Sequence, residues 1–338
     1  MLNLWLGFAA CSIVITWCGL NLCRYGDAIA EKSGLGRTWV GLVLMATVTS
    51  LPELINGASA VILVDAPDLA VGDAIGSCTF NLLILAGLDL ADRHVPLSTR
   101  AHTGNVLAAG FGIMLISIAA LGIAMGSAAS LGWFPVWFGP YTPTIFAVYL
   151  VSMKLLYDYE RRQVALAAAV AQVSEDYAGM TMRRVVVMYT INALLVVGAA
   201  VALPHIGEGL ARATGLGQTF VGNIFIALTT SLPELVVSIT AIRMGAVDLA
   251  VGNLLGSNVF NMVVLGLDDM LYSGGPILAH VEPAHLISAV TAIAMSAVAS
   301  AGLTYRAAEK RAPLALDAAA IVALFCLNAY LLYALRAG

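Results

Sequence analysis

One stretch of this chain occurs twice, and each copy carries groups that a hydrocarbon environment disfavours. Ala46-Thr-Val-Thr-Ser-Leu-Pro-Glu53 recurs as Ala227-Leu-Thr-Thr-Ser-Leu-Pro-Glu234. Each copy sets a helix breaker, hydroxyls and a carboxylate inside a long apolar run, where all three are costly without a function. The duplication is wider than the motif. Gly26–Gly41 matches Gly207–Gly222 at a constant offset of 181, and Asp68–Asn81 matches Asp248–Asn261 after a shift of one residue. Any fold for this chain must therefore contain two copies of one unit.

Composition fixes the solvent. Of 338 residues, 60% are hydrophobic and 11% charged, with a mean hydropathy of +0.92, against about 25% charged in soluble domains. The chain reads as an all-α polytopic membrane protein. Hydropathy and breakers predict ten spans, near 2–23, 38–63, 68–90, 101–124, 131–157, 184–206, 219–242, 248–272, 283–304 and 313–335. The first run is long enough to span and lacks a basic leader, so it is read as a retained helix rather than a signal peptide. With the N-terminus outside, 14 of the 16 basic residues fall in inside loops and only Arg212 and Arg336 outside, which fixes the expected orientation. Five spans per half is an odd number, so the second copy enters the membrane from the opposite side. The expected architecture is two inverted five-helix repeats, 1–157 and 184–338, joined by a cytoplasmic linker 158–183, with helices broken at the midplane.

The motifs carry oxygen chemistry. Pro52 and Pro233 break their helices, and the expectation is that carbonyls at Ala46, Thr47, Ala227 and Leu228 are freed there. Hydroxyls of Thr49, Ser50, Thr230 and Ser231 stand beside them, while Glu53 and Glu234 begin second half-helices whose dipoles favour an ionised carboxylate. A proline kink with a glutamate bonded to a neighbouring helix would explain one copy, but not two in inverted positions. Asp73, Ser77 and Asn81, and likewise Asn253, Ser257 and Asn261, recur every fourth residue and form stripes on one helical face. Gly72, Gly76, Gly252 and Gly256 leave room for a broken helix to approach. Such a set suits six to eight hard oxygen ligands around Ca2+ and lacks the sulfur or imidazole that zinc or copper prefer. The five cysteines, Cys78 among them, form no CxxC and are read as packing.

These paired motifs resemble the two alpha-repeats of the calcium/cation antiporter superfamily, specifically its sodium/calcium exchanger branch. The resemblance covers spans two, three, seven and eight. It implies a central site in which Glu53 and Glu234 bind Ca2+ or share Na+, and Asn81 and Asn261 complete the middle. It further implies that Ser50, Ser77, Ser231 and Ser257, with the Ala46 and Ala227 carbonyls, line sodium sites, and that spans one and six slide to give alternating access. The chain departs from the pattern in places. Val48 and Thr229 stand where glycine is usual, Asn261 where some relatives carry Asp, and Asp73 where Asn is usual. Asp73 either tunes the site or caps a local backbone group.

Other polar residues are expected to be plainer. Asp68 and Asp248 read as helix N-caps, His94, His102, His205, His280 and His285 as interfacial rather than a proton relay, and Pro140 and Pro143 as kinking the fifth span, while Asp268 and Asp269, near the outer face, read as solvated loop charges ahead of the alternative that they attract cations. The leading function is Na+/Ca2+ antiport in a prokaryotic cell membrane, with the lipid bilayer as solvent, no nucleic acid partner and no cofactor beyond the transported ions. A proton/calcium exchanger is the alternative within transport, and a non-transporting cation sensor the alternative outside it. No HExxH or GxSxG supports an intramembrane enzyme.

Overall fold

The computed structural model describes residues 2–34, 39–91, 94–126, 137–168, 179–212, 221–310 and 312–335. These are helical throughout, without strands among them. In chain order the helices are α1 (Leu2–Ser33), a broken α2 (Val40–Met45, Ala46–Thr49, Leu51–Ser59 and Ala60–Val64), α3 (Pro67–Leu88), α4 (Gly104–Met125) and α5 (Tyr141–Ala168). The second half follows as α6 (Met182–Arg212), a broken α7 (Val221–Ile226, Ala227–Thr230 and Leu232–Arg243), α8 (Val247–Leu271), α9 (His285–Tyr305) and α10 (Leu316–Leu335). Six of these are by themselves long and apolar enough to cross a membrane, and the bent pair in α2, with a 40° turn at its break, makes a seventh.

The two breaks are copies of one another. Val40–Met45 and Val221–Ile226 are both wide π turns, each followed by four residues of α-helix, an interruption at Ser50 or Ser231, and a second half-helix with proline in its first turn. Proline is tolerated there because the first helical N–H groups have no intrahelical partner anyway. The one-residue shift between the repeats also has a visible cause. Only α2 ends in a second π turn, Ala60–Val64, where the Ala66 N–H reaches back to the Ala60 carbonyl at 3.0 Å and Asp65 turns left-handed at φ 53°. A π turn absorbs one extra residue into a helix, and the first copy has one more residue between its Glu and its Asp68 than the second.

Packing follows the same twofold logic. α3 lies against α7, and α8 against α2; α9 also touches α3, and α4 touches α8. Consequently α3 and α8 form the centre, 94% buried over their apolar windows, whereas α6 and α10 are 28% and 22% buried and present apolar faces outward, as lipid-facing helices do. The pair α1 and α6 lies to one side, packed on each other and on the broken helices. α1 has 32 residues and α6 has 31; at about 1.5 Å per residue each exceeds the roughly 30 Å hydrocarbon layer.

Close approach at the centre rests on two glycines. A Cβ on Gly76 would meet the Asn223 carbonyl oxygen at 2.6 Å and the Ala227 methyl at 2.9 Å; one on Gly256 would collide with the Leu42 carbonyl and meet the Ala46 methyl at 2.9 Å. Leu42 and Asn223, like Ala46 and Ala227, are repeat equivalents at the 181 offset.

Several outer features differ from expectation. Asp68 and Asp248 do not cap their own helices. Asp68 Oδ1 instead accepts from the Glu282 N–H (2.7 Å) and pairs with His285 Nε2 (3.0 Å), and Asp248 Oδ1 accepts from the His102 N–H (2.5 Å) and Asn105 Nδ2 (3.3 Å). Each therefore fastens the start of a helix from the other half. Asp269, expected in solvent, is fully buried and accepts four hydrogen bonds, from the Gly139 and Ile277 N–H groups, Tyr141 Oη and Thr142 Oγ1, at 2.5–2.7 Å. Its repeat equivalent Asp89 accepts from the Leu97 and Ala315 N–H groups at 2.8 Å and pairs with Lys310 at 2.8 Å. Burial is affordable to these carboxylates because they are fully hydrogen-bonded. Asp268 is also fully buried. His285 is buried rather than interfacial, while His94 and His280 are exposed near helix ends; the His205 side chain lies outside the described residues. Pro140 and Pro143 start α5 instead of kinking it, since the helix begins at Tyr141. The Gly-Leu-Gly stretches at 34–36 and 215–217 lie largely outside the described residues, as do 169–178 within the expected linker and 131–136 within the expected fifth span.

Candidate cation site

The predicted side-chain ligands meet where the two broken helices cross α3 and α8, and all of them are buried, whereas Thr47 is only partly buried and Leu228 is exposed. The symmetry of the sequence becomes a symmetry of hydrogen bonds. Thr49 Oγ1 donates across the axis to Asn253 Oδ1 at 3.2 Å, and Thr230 Oγ1 donates to Asp73 Oδ1 at 2.9 Å. Beside each of these, a hydroxyl pair closes the crossing: Thr49 with Ser257 at 3.5 Å, and Thr230 with Ser77 at 3.3 Å. Each threonine hydroxyl also lies within hydrogen-bonding distance of its own helix, at the Met45 or Ile226 carbonyl, so its single proton is shared between the two acceptors.

The two halves diverge at the carboxylates. Glu234 Oε1 accepts from Ser50 Oγ (3.1 Å) and Ser257 Oγ (3.3 Å), leaving Oε2 without a partner. Glu53 has neither oxygen paired, and the Ser231 hydroxyl is unpaired as well. The cause is Asp73. Ser77, the counterpart of Ser257, donates to Asp73 Oδ1 at 3.3 Å, and Asn56 Nδ2 donates to Asp73 Oδ2 at 2.7 Å. Asp73 thus binds three side chains and caps no backbone group.

Two amides complete the middle. Asn81 Nδ2 donates to Asn258 Oδ1 at 3.0 Å, leaving Asn81 Oδ1 unpaired, and Asn261 has neither its oxygen nor its nitrogen paired. Cys78 packs with its thiol toward the Asn258 carbonyl at 3.8 Å. One expectation needs correction: the Ala46 and Ala227 carbonyls are not freed by the breaks. Ser50 N–H donates to Ala46 O at 2.9 Å and Ser231 N–H to Ala227 O at 3.0 Å, because the break falls one residue after the bond that closes the first half. Each carbonyl is also approached by the threonine hydroxyl of its own turn, Thr49 at 3.4 Å from Ala46 O and Thr230 at 3.3 Å from Ala227 O. Among the described residues no three His, Cys, Asp or Glu side chains gather as a metal-holding group.

An apolar groove between α3 and α7, lined by Phe80, Leu88, Leu228, Leu232 and Ile239, runs up to Ser231, whose hydroxyl is itself buried. On the opposite side the equivalent hydroxyl, Ser50, is closed over by Glu234. Three neighbours were not among the sequence candidates: Asn56, which holds Asp73; Asn258, which holds Asn81; and Ser238, which accepts from Asn253 Nδ2 at 3.2 Å. Their helical spacing was available as a signal, since Asn56 lies three residues after Glu53 and Ser238 four after Glu234.

Residues 3–155 and 184–335 match the sodium/calcium exchanger protein family. The chain is 29% identical over 268 residues to inner membrane protein YrbG of Escherichia coli (strain K12), covering 78% of each chain. Over a shorter stretch of 63 residues, 18% of each, it is 43% identical to the sodium/calcium exchanger MaX1 of Methanosarcina acetivorans. The fold is similar to that of the sodium-calcium exchanger NCX_Mj, with a TM-score of 0.71 at 19% identity over 97% of this chain and 98% of that one.

Proposed function

The chain belongs to the sodium/calcium exchanger protein family, a family of membrane antiporters, and we propose that it exchanges Na+ for Ca2+ at one central site by alternating access. The observation that carries this reading is the pair of repeat-related glutamates on broken helices, with three carboxylate oxygens unpaired between them. Buried carboxylates without partners are unstable unless a cation or proton joins them.

In this reading Glu53 and Glu234 take Ca2+ together with Asn81 and Asn261. The hydroxyls of Thr49, Ser50, Ser77, Thr230, Ser231 and Ser257, with the Ala46 and Ala227 carbonyls, supply the Na+ positions around them, and Asp73 tunes the first half. Sodium and calcium compete for shared oxygens, which is what couples their opposite movements. Hydroxyls and amides outnumbering carboxylates favours Na+ coupling over the proton/calcium alternative, since a proton needs only the glutamates. The two five-helix halves, 1–157 and 184–338, rock or slide about this centre, joined by 158–183 on the cytoplasmic side, with both termini outside and the whole seated in a cell membrane. The basic residues support that orientation. It puts Leu88 and the groove between α3 and α7 on the cytoplasmic side.

The test is flux. Purified protein in liposomes loaded with Na+ takes up labelled Ca2+ when diluted into Na+-free medium, and a pH gradient alone drives no uptake. Uptake that follows the pH gradient and ignores Na+ would refute sodium coupling and establish the proton exchanger.

A further inference from the structure

Asp268 is not explained by the central site. Its side chain is fully buried and neither carboxylate oxygen has a partner. The neighbouring Asp269 accepts four hydrogen bonds, so the fold had donors to give and gave Asp268 none. Its position is specific. The carboxylate packs directly on Gly57, where a Cβ would collide with it. Gly57 lies four residues after Glu53, and Asp268 seven after Asn261; both spacings keep a residue on one helical face. Asp268 therefore occupies the same seam as the central ligands, displaced by one to two turns toward the end of the bundle that holds Asp68 and Asp269.

A second carboxylate stands on the other flank of that seam. Asn56, the residue before Gly57, holds Asp73 Oδ2 at 2.7 Å, so Asp73 and Asp268 flank the Asn56–Gly57 step of α2 from either side. Both Asp73 oxygens accept hydrogen bonds, as an acceptor-only carboxylate does. The inverted repeat supplies a built-in control. At the opposite end, the counterparts of Asp73, Asp268 and Gly57 are Asn253, Leu88 and Ser238, and Asn253 simply donates to Ser238. Two carboxylates, one of them buried without a donor, have been placed on one side of a site whose other side is neutral.

We propose that Asp268, with Asp73 at the outer edge of the central site, forms a second cation post, which takes a hard divalent cation from the Asp269 end before it reaches Glu53 and Glu234. Two carboxylates balance one divalent charge, and the central glutamates balance another. The inference rests on the proposed central site and, for naming the Asp269 end external, on the proposed orientation.

Binding separates this post from the central site. In nanodiscs, full-length E53Q/E234Q protein retains about one equivalent of labelled Ca2+ by equilibrium dialysis, and adding D268N removes it. In the otherwise unaltered protein, D268N raises the external Ca2+ concentration for half-maximal transport by about tenfold, the scale on which ligand charge sets Ca2+ affinity, and leaves the internal one unchanged. No Ca2+ bound to E53Q/E234Q, or equal shifts on both faces in D268N, would overturn the post. A D268N protein whose Ca2+ dependence is unaltered on both faces would show that Asp268 holds only a proton, and would overturn it too. Undiminished transport by E53Q or E234Q is a separate outcome: it defeats the central reading.

Discussion

Asp73 holds Asn56, Ser77 and Thr230 by its two oxygens, whereas its counterpart Asn253 accepts from Thr49 and passes its own amide to Ser238. The difference is one atom in the side chain, and its effect is to draw Ser77 away from Glu53. In D73N, Ser77 is freed to donate to Glu53 as Ser257 does to Glu234, and the site loses one negative charge. The expected result is a Ca2+ concentration for half-maximal transport raised by about tenfold with a smaller effect on Na+; an unchanged ratio of the two would show that Asp73 is structural. Asp269 illustrates the contrasting use of a buried carboxylate. Its four donors from the start of α5 and the turn before α9 are left unsatisfied in D269A, at about 1–3 kcal/mol for each that stays buried without a partner. That loss reads as a large drop in melting temperature in detergent, and a variant as stable as the parent would contradict the assigned bonds.

Among the elements, the broken helices depend on the glycines they cross. Gly76 lies against the backbone of Asn223, and Gly256 against that of Leu42, so even one methyl group pushes a π turn away from the central helix. G76A and G256A are each expected to destabilise by about 1–3 kcal/mol, as overpacking does. G110A is the control, because nothing lies within 4 Å of a Cβ there. Equal melting temperatures for all three would refute the close crossing. The breaks themselves were legible in the sequence, since proline, the preceding serine and the following glutamate each have a positional meaning in a helix. Their π turns were not, because Val40–Met45 and Val221–Ile226 are ordinary apolar residues whose widening comes from packing. The Ala46 and Ala227 carbonyls were misjudged for a related reason: the rule that proline frees a carbonyl does not say which turn absorbs the loss. Asp68, Asp248, Asp89 and Asp269 were missed as fasteners because their partners lie from 8 to 226 residues away, beyond any local pattern.

For the whole molecule, the repeat was the most informative feature. It specified two inverted units with α3 and α8 at the centre, and the fold similarity to NCX_Mj extends over 97% of the chain. What the repeat could not foretell is where symmetry is given up: at Asp73, at Asp268, at the extra π turn of α2, and at the two serines, where Ser50 donates to Glu234 and the buried Ser231 hydroxyl has no partner. Those departures are what give an otherwise two-sided molecule distinct faces. The central claim is that one shared site, drawing a glutamate from each half, serves both ions. It is tested most directly by measuring Na+-driven Ca2+ uptake and Na+-free Ca2+/Ca2+ exchange in liposomes containing folded E53Q or E234Q protein. Loss of both modes in both variants is the predicted result; survival of either mode in either variant would contradict a single shared site.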